Sequence, residues 1–181
     1  PWPMGGAAVY RSPTDAGFTL AAMAGARGVI GVTLDELQPG PESRIDHASR
    51  LQVKLHAGAL ASTTRPALLA GANAAAIQGA DGEWEVIQFE TATLVAPSTY
   101  VLTALLRGQA GTERAMREAI PAGAPFVLLD GALTPIPLTR DDIGLPLNWR
   151  SGPANLDLGD AAYRTTTHAF RGLGLRPLSP V

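Results

Sequence analysis

The sequence predicts a mainly β fold, sandwich-like or barrel-like, with a long hairpin, one or two short helices and minor α+β character. Three observations predict it. The chain of 181 residues carries 20 glycines and 15 prolines, against a combined average usage of roughly 12%. They are spread as punctuation between short apolar runs, which favours many short strands over long helices. Several of those runs alternate apolar and polar residues with a period of two. Finally, two long alternating runs flank a single proline-bearing turn, the pattern of a hairpin. The length fits one β-rich domain spanning 1–181, or such a domain with a small lobe.

The elements follow in order. Ala7–Ser12 and Gly17–Met23 read as two strands around the turn Pro13–Ala16, where Pro13 and Asp15 supply turn chemistry. Gly28–Leu34 is a short β-branched run, and Asp35–Ser43 is loop, since Pro39 and Pro41 stop any helix begun there. In Arg50–Gly58, Leu51, Val53 and Leu55 face one way and Gln52, Lys54 and His56 the other, as in a half-buried strand. A helical turn is expected near Pro66–Ala70, broken by Gly71 and Asn73, with "AAAIQ" following.

Gly82–Val95 is the longest strand. Ile87, Phe89, Thr91 and Thr93 share one face; Trp84, Val86, Gln88, Glu90 and Ala92 share the other. After a turn holding Pro97, the run "YVLTALLRG" returns. Each arm has about nine residues, or roughly 30 Å. Strict alternation sets Tyr100, Leu102, Ala104 and Leu106 against Val101, Thr103, Leu105 and Arg107. Both sets carry apolar groups, so the hairpin is expected between two layers.

Thr112–Ile120 is the best helix: Thr112 suits an N-cap, Glu113 suits the positive end of the helix dipole, and Pro121 ends it. "APFVLLD", "ALTPIPLT", "LPLNWRS" and "AAYRTTTHAF" then read as short strands, with Pro135 and Pro137 compatible with an edge strand or extended arm. No internal repeat is visible. The start "PWPMGG" is not a signal peptide, and 172–181 reads as a linker. The two ends are those expected of a piece of a longer polypeptide.

Composition narrows the function. Net charge is −2 with a pI near 5.9, so there is no basic excess for specific nucleic-acid binding. Without cysteine, disulfides, thiolate metal sites and cysteine nucleophiles are excluded. No apolar run reaches about 18 residues. The charged fraction is 17%, below the roughly 25% of ordinary domains, which fits a surface partly covered by partners.

The most chemical-looking stretch is Arg107-Gly108-Gln-Ala-Gly111-Thr112-Glu113. It has neither the spacing nor the lysine of a P-loop, and only half of a dinucleotide fingerprint. Backbone amides at the N-terminus of the Thr112 helix could hold an anion, but Glu113 already places negative charge there, so the turn reads as a structural corner. His47, His56 and His168 match no metal spacing. Two carboxylate pairs stand out. Glu83 and Glu85 would share a strand face about 7 Å apart, within glycosidase range, yet such pairs normally come from different elements. Asp141 and Asp142 form the second pair. No Gly-x-Ser-x-Gly occurs. Trp149 with Tyr163 could make a sugar platform, although core roles suit them better. No catalytic, cofactor or metal residue is assigned.

Glu85, Phe89, Tyr100, Leu102, Leu105, Leu106, Arg107, Gly108, Gly111, Thr112 and Glu113 form one long motif. It resembles a signature of the large tail-tip or baseplate-hub protein of gene transfer agents and related tailed phages, sometimes called the megatron. "GGAAVYRS", "LLAGANAAAI", "GAPFVLLD" and "GLGLRPLSPV" agree with it, so the resemblance covers most of the chain. It implies a β-rich structural part of the tail hub, without the TIM-barrel-like glycosidase domain of the family's full chain. It further implies a homotrimer in the virion's tail tip, assembled in the bacterial cytoplasm beside other tail-tip proteins such as the hub and distal tail protein, and serving envelope penetration and DNA delivery. It carries over no catalytic residue and no cofactor. The rival expectation is a carbohydrate-binding module that takes a host envelope glycan at Trp149; a third is a wall-degrading enzyme using Glu85. On the favoured reading, Gly108 and Gly111 turn the strand into the Thr112 helix, and Arg107 reaches a carboxylate or carbonyls within the trimer or its own loop.

Overall fold

The structure, a computed structural model, describes Pro3 and residues 5–172. Of the expected linker, only Gly172 is among them; 173–181 lie outside the described residues. The fold is mainly β, with 47% strand and 8% helix. The elements are β1 (Ala7–Ser12), β2 (Thr19–Ala24), β3 (Ile30–Thr33), β4 (Asp46–Ala57), α1 (Arg65–Leu69), β5 (Ala74–Gln78), β6 (Trp84–Ala96), β7 (Thr99–Gln109), β8 (Pro125–Leu128), β9 (Pro146–Pro153) and β10 (Arg164–Ala169). Short 3-10 turns occupy Glu113–Arg117 and Arg140–Asp142.

These elements divide into two compact units, with the barrel unit lying in sequence between the halves of the sheet unit. In the first, Gly28–Asp130, the strands close in the order β3-β4-β7-β6-β5-β8, and β8 pairs back with β3. Every pairing is antiparallel. Closure leaves no sheet edge, which removes the unpaired backbone groups an open sheet would expose. The alternation of β4 holds: Leu51, Val53 and Leu55 point into the barrel core, joined by Ala75 and Ile77 of β5, Ile87 and Phe89 of β6, and Phe126 of β8. Loops add Leu37, Leu60, Ile120 and Ala124 to that core.

The hairpin β6–β7 departs from strict alternation. Leu102 and Leu105 both belong to the core, although alternation set them on opposite faces. Ala104 lies between them with φ +54, a conformation that costs an L-residue roughly 1–2 kcal/mol. This twist of the backbone exchanges the inward parity, from Tyr100 and Leu102 to Leu105 and Arg107. Outside, Gln88 and Leu106 of this pair are also buried. There the α1 segment packs: Gln88 Nε2 donates to Leu68 O at 2.7 Å and to Ala72 O at 2.8 Å, satisfying carbonyls a helix end leaves open. The hairpin therefore has a core on one side and a short helical cover at one place on the other.

α1 appears where the helical turn was expected, with Thr64 accepting from Ala67 N and Pro66 in its first turn. The helix expected over Thr112–Ile120 does not form. Only a 3-10 turn, Glu113–Arg117, is present, and Glu118 is already extended. Thr112 is no cap, because its hydroxyl is spent elsewhere: it accepts from Val86 N at 2.9 Å and donates to Gln109 O at 2.7 Å. Ile120 is drawn out of helical register by a two-way backbone pairing with Leu37. A run this short has little intrinsic helical stability to oppose such contacts.

The second unit, Pro1–Arg27 with Gly131–Gly172, carries an open antiparallel sheet ordered β10-β9-β1-β2. Among the described residues, its buried apolar side chains are Ala8, Leu147 and Tyr163. Tyr163 stacks edge-on to Tyr10 at 6.1 Å and donates its hydroxyl to Pro153 O at 3.0 Å. Gly152 lies directly under that ring, where a Cβ would come within 2.7 Å of it. The run holding Pro135 and Pro137 forms no strand. Proline donates no ladder hydrogen bond, and this segment is tied instead by Arg11 Nη1 to Pro137 O.

Candidate functional site

Site building starts at the register shift between β6 and β7. Gln88 faces Leu106, yet Val86 faces Gln109, so β7 carries one extra residue at Arg107–Gly108. This is a bulge, and bulges re-aim side chains and backbone groups. Gly108 takes φ +59 there. A Cβ at Gly108 would meet Glu113 Cα at 3.0 Å, so glycine is required both for the conformation and for the space. The bulge turns the Gly108 amide away from the ladder and toward Glu85 Oε1, at 3.0 Å.

Glu85 and Arg107 are fully buried, at 0% and 1% exposure. They form a two-pronged ion pair: Arg107 Nε to Glu85 Oε1 at 2.7 Å, and Nη2 to Oε2 at 2.8 Å. Arg107 Nη1 donates to Gln38 O at 2.8 Å. Planar, charge-assisted bonds of this kind are the strong class of hydrogen bond. Burial of two ions costs nearly as much as their attraction returns, so the pair adds little net stability over an apolar pair, but removing one partner strands the other. Its use is specification: it ties β6, β7 and the Gln38 loop into one arrangement.

Asp46 completes the surroundings of Arg107. It is 4% exposed, and its Oδ1 accepts from Ala48 N at 2.9 Å and Ser49 N at 3.0 Å. Burial pushes its carboxyl up, but hydrogen bonds from Ser49 and Ala48, helped by the Arg107 charge, outweigh that and hold it below its ordinary value. Asp46 Oδ2 has no hydrogen-bond partner among the described residues. Gly40 packs between the two side chains: a Cβ there would lie 2.9 Å from Asp46 Oδ2 and 3.0 Å from Arg107 Nη1.

Beside this corner opens a pocket of about 330 Å³, lined by residues that include Glu42, Leu69, Leu106, Gly108 and Glu113. Leu69 is 68% exposed. Glu42 and Glu113 enter no ion pair or side-chain hydrogen bond among the described residues.

The motif residues therefore separate into roles. Phe89, Tyr100, Leu102 and Leu105 are core. Glu85, Arg107 and Gly108 make the ionic corner, while Thr112 clamps Val86 to Gln109. Gly111 has φ +76 and completes the turn. Leu106 and Glu113 face the pocket. Arg107 does reach a carboxylate, but that of the neighbouring strand. Glu85 is engaged through both oxygens, whereas Glu83 lies just before β6 and is only part-buried. Gln38, Gly40, Glu42, Asp46 and Gln88 were not singled out by sequence. The only hint was Pro39-Gly40-Pro41, which marks a loop without showing where it packs.

Other sequence candidates stand apart from the corner. His47, His56 and His168 are exposed, and among the described residues no group of three or more His, Cys, Asp or Glu comes together. Asp142 caps the turn that begins at Thr139, accepting from its amide at 2.7 Å. That amide, then the Thr139 hydroxyl, holds its carboxyl below the usual range. Tyr163 is 6% exposed, which leaves Trp149 alone of the two rings half-exposed.

A search of curated proteins finds no match. The family model described as Rcc01698-like, C-terminal matches residues 28–127, a span that coincides with the barrel and contains the whole ionic corner. By that match over more than half its length, the chain belongs to the Rcc01698-like C-terminal family.

Proposed function

We propose that the chain is a non-enzymatic structural module of the tail-tip hub of a phage-like gene transfer agent particle. In that role it assembles as a homotrimer beside the hub and distal tail proteins, contributes to envelope penetration and DNA delivery, and binds no nucleic acid specifically. The observation that carries this reading is how the signature is used. Glu85, Arg107, Gly108 and Thr112, its most chemical residues, satisfy one another and the barrel backbone. A motif turned inward in this way serves architecture. The resemblance of that motif to tail-tip hubs supplies the setting.

Antibody labelling of purified particles checks the location, and light scattering of the purified chain checks the assembly. Label at the tail tip and a mass three times that of the chain are expected. Label on the capsid or tube, or a chain that stays monomeric and degrades peptidoglycan, sinks the proposal.

A further inference from the structure

We infer that the pocket beside the Arg107–Glu113 turn is a docking site for an arginine side chain presented by another protein chain. Its volume of about 330 Å³ is at the low end for ligand pockets, and suits one long side chain better than a cofactor. Leu69 and Leu106 give an apolar wall, the surface on which an arginine's methylene stem packs while its head remains polar. Leu69 leaves 68% of its surface bare.

Charge selects the occupant. The pocket's two free acidic groups are Glu42 and Glu113. The cation already present, Arg107, is consumed by Glu85 and Gln38 O, with Asp46 also beside it. Among the residues that line the pocket the balance is therefore negative, and a cation complements it. A guanidinium meets carboxylates through a planar fork of donors, which an ammonium lacks. A metal ion is less well served, since no third acidic or histidine ligand joins these two among the described residues. The inference holds whether or not the chain resides in a tail tip.

The test is an NMR titration of the full 181-residue chain with a capped five-residue peptide bearing a central arginine. Its twin carries the neutral isostere citrulline, and calcium chloride is titrated separately. Saturable shifts at Gly108, Ala110 and Glu113 are expected with the arginine peptide alone. The double variant Glu42→Gln, Glu113→Gln should weaken binding about tenfold or more, as loss of charge-assisted hydrogen bonds requires. Leu69→Lys, at an exposed position, places a cation at the pocket and should abolish the shifts with the fold unchanged. No shifts at millimolar peptide, equal binding of the citrulline twin, undiminished binding to both variants, or a response to calcium alone overturns the inference.

Discussion

The barrel and the open sheet are both antiparallel β structures, yet they solve burial differently. The barrel closes on itself and encloses a continuous cluster running from Leu37 to Phe126, with Phe89 and Phe126 wholly inside. The sheet has two edges, β10 and β2. Every residue of β10 is exposed, and β2 shows Leu20 and Met23 at more than half their surface. Sheets with exposed edges are templates for further pairing, whereas a closed barrel is complete. The family match falls on the barrel alone. The difference teaches that the part of the chain the family model matches is a unit whose strands close on themselves, while the second unit, among the described residues, leaves both edges of its sheet unpaired.

The largest expected effects test the barrel's dependence on its interior. Phe89→Ala should cost about 3–5 kcal/mol, from lost burial and the cavity left behind. Arg107→Met should cost a similar amount, about 3–5 kcal/mol, by stranding the Glu85 carboxylate. Replacing both partners with apolar residues, Glu85→Leu with Arg107→Met, should recover much of that loss. Denaturant unfolding measures all three; a double variant no better than Arg107→Met would mean the pair does more than satisfy itself.

Gly108→Val comes next, at about 2 kcal/mol or more, from the left-handed backbone and the contact with Glu113. A crystal structure or thermal melt of the variant indistinguishable from the parent would break the account of the corner.

A pH effect sharpens the same comparison. Asp46 titrates below its ordinary 3.8 in the folded chain. A depressed carboxyl stabilises fully above the unfolded value and loses that contribution as pH falls through the folded one. The stability gap between the parent and Asp46→Asn should be constant near neutrality and shrink only below about pH 4. A gap that widens in acid would refute the assignment.

In the sheet the effects should be smaller. Tyr163→Phe removes the hydroxyl's bond to Pro153 O and should cost about 1 kcal/mol. Thr166→Ala on exposed β10 should change stability by no more than about 0.5 kcal/mol. Hydrogen exchange ordering the two units the other way, with β10 slower than β6, would overturn the contrast.

Much of the fold was legible in the chain. The period-two pattern of Leu51, Val53 and Leu55 gave β4 its inward face, and the hairpin of β6 and β7 followed from two long runs around Pro97. The helix at Thr112 was misread because a cap sequence looks the same whether its hydroxyl serves the helix or a distant strand. Ala104 hid the parity exchange in β7: alanine rarely takes a left-handed conformation, so nothing local announced it. The candidate site was half legible. Arg107, Gly108 and Glu113 stood out by their motif, whereas Gly40 and Glu42 of the preceding loop and Asp46 at the start of β4 lie far earlier in the chain, brought there by the pairing of β4 with β7.

By itself, then, the sequence determined the class of structure, most strand positions, and the residues from which the corner is made. These are properties of local pattern, because alternation and turn chemistry act over a few residues. Tertiary structure alone decided that the strands close into a barrel, that Arg107 is spent on Glu85, and that Glu42 and Glu113 are left over at a pocket. Those outcomes depend on which distant groups become neighbours once water is excluded, and no short-range pattern encodes that pairing.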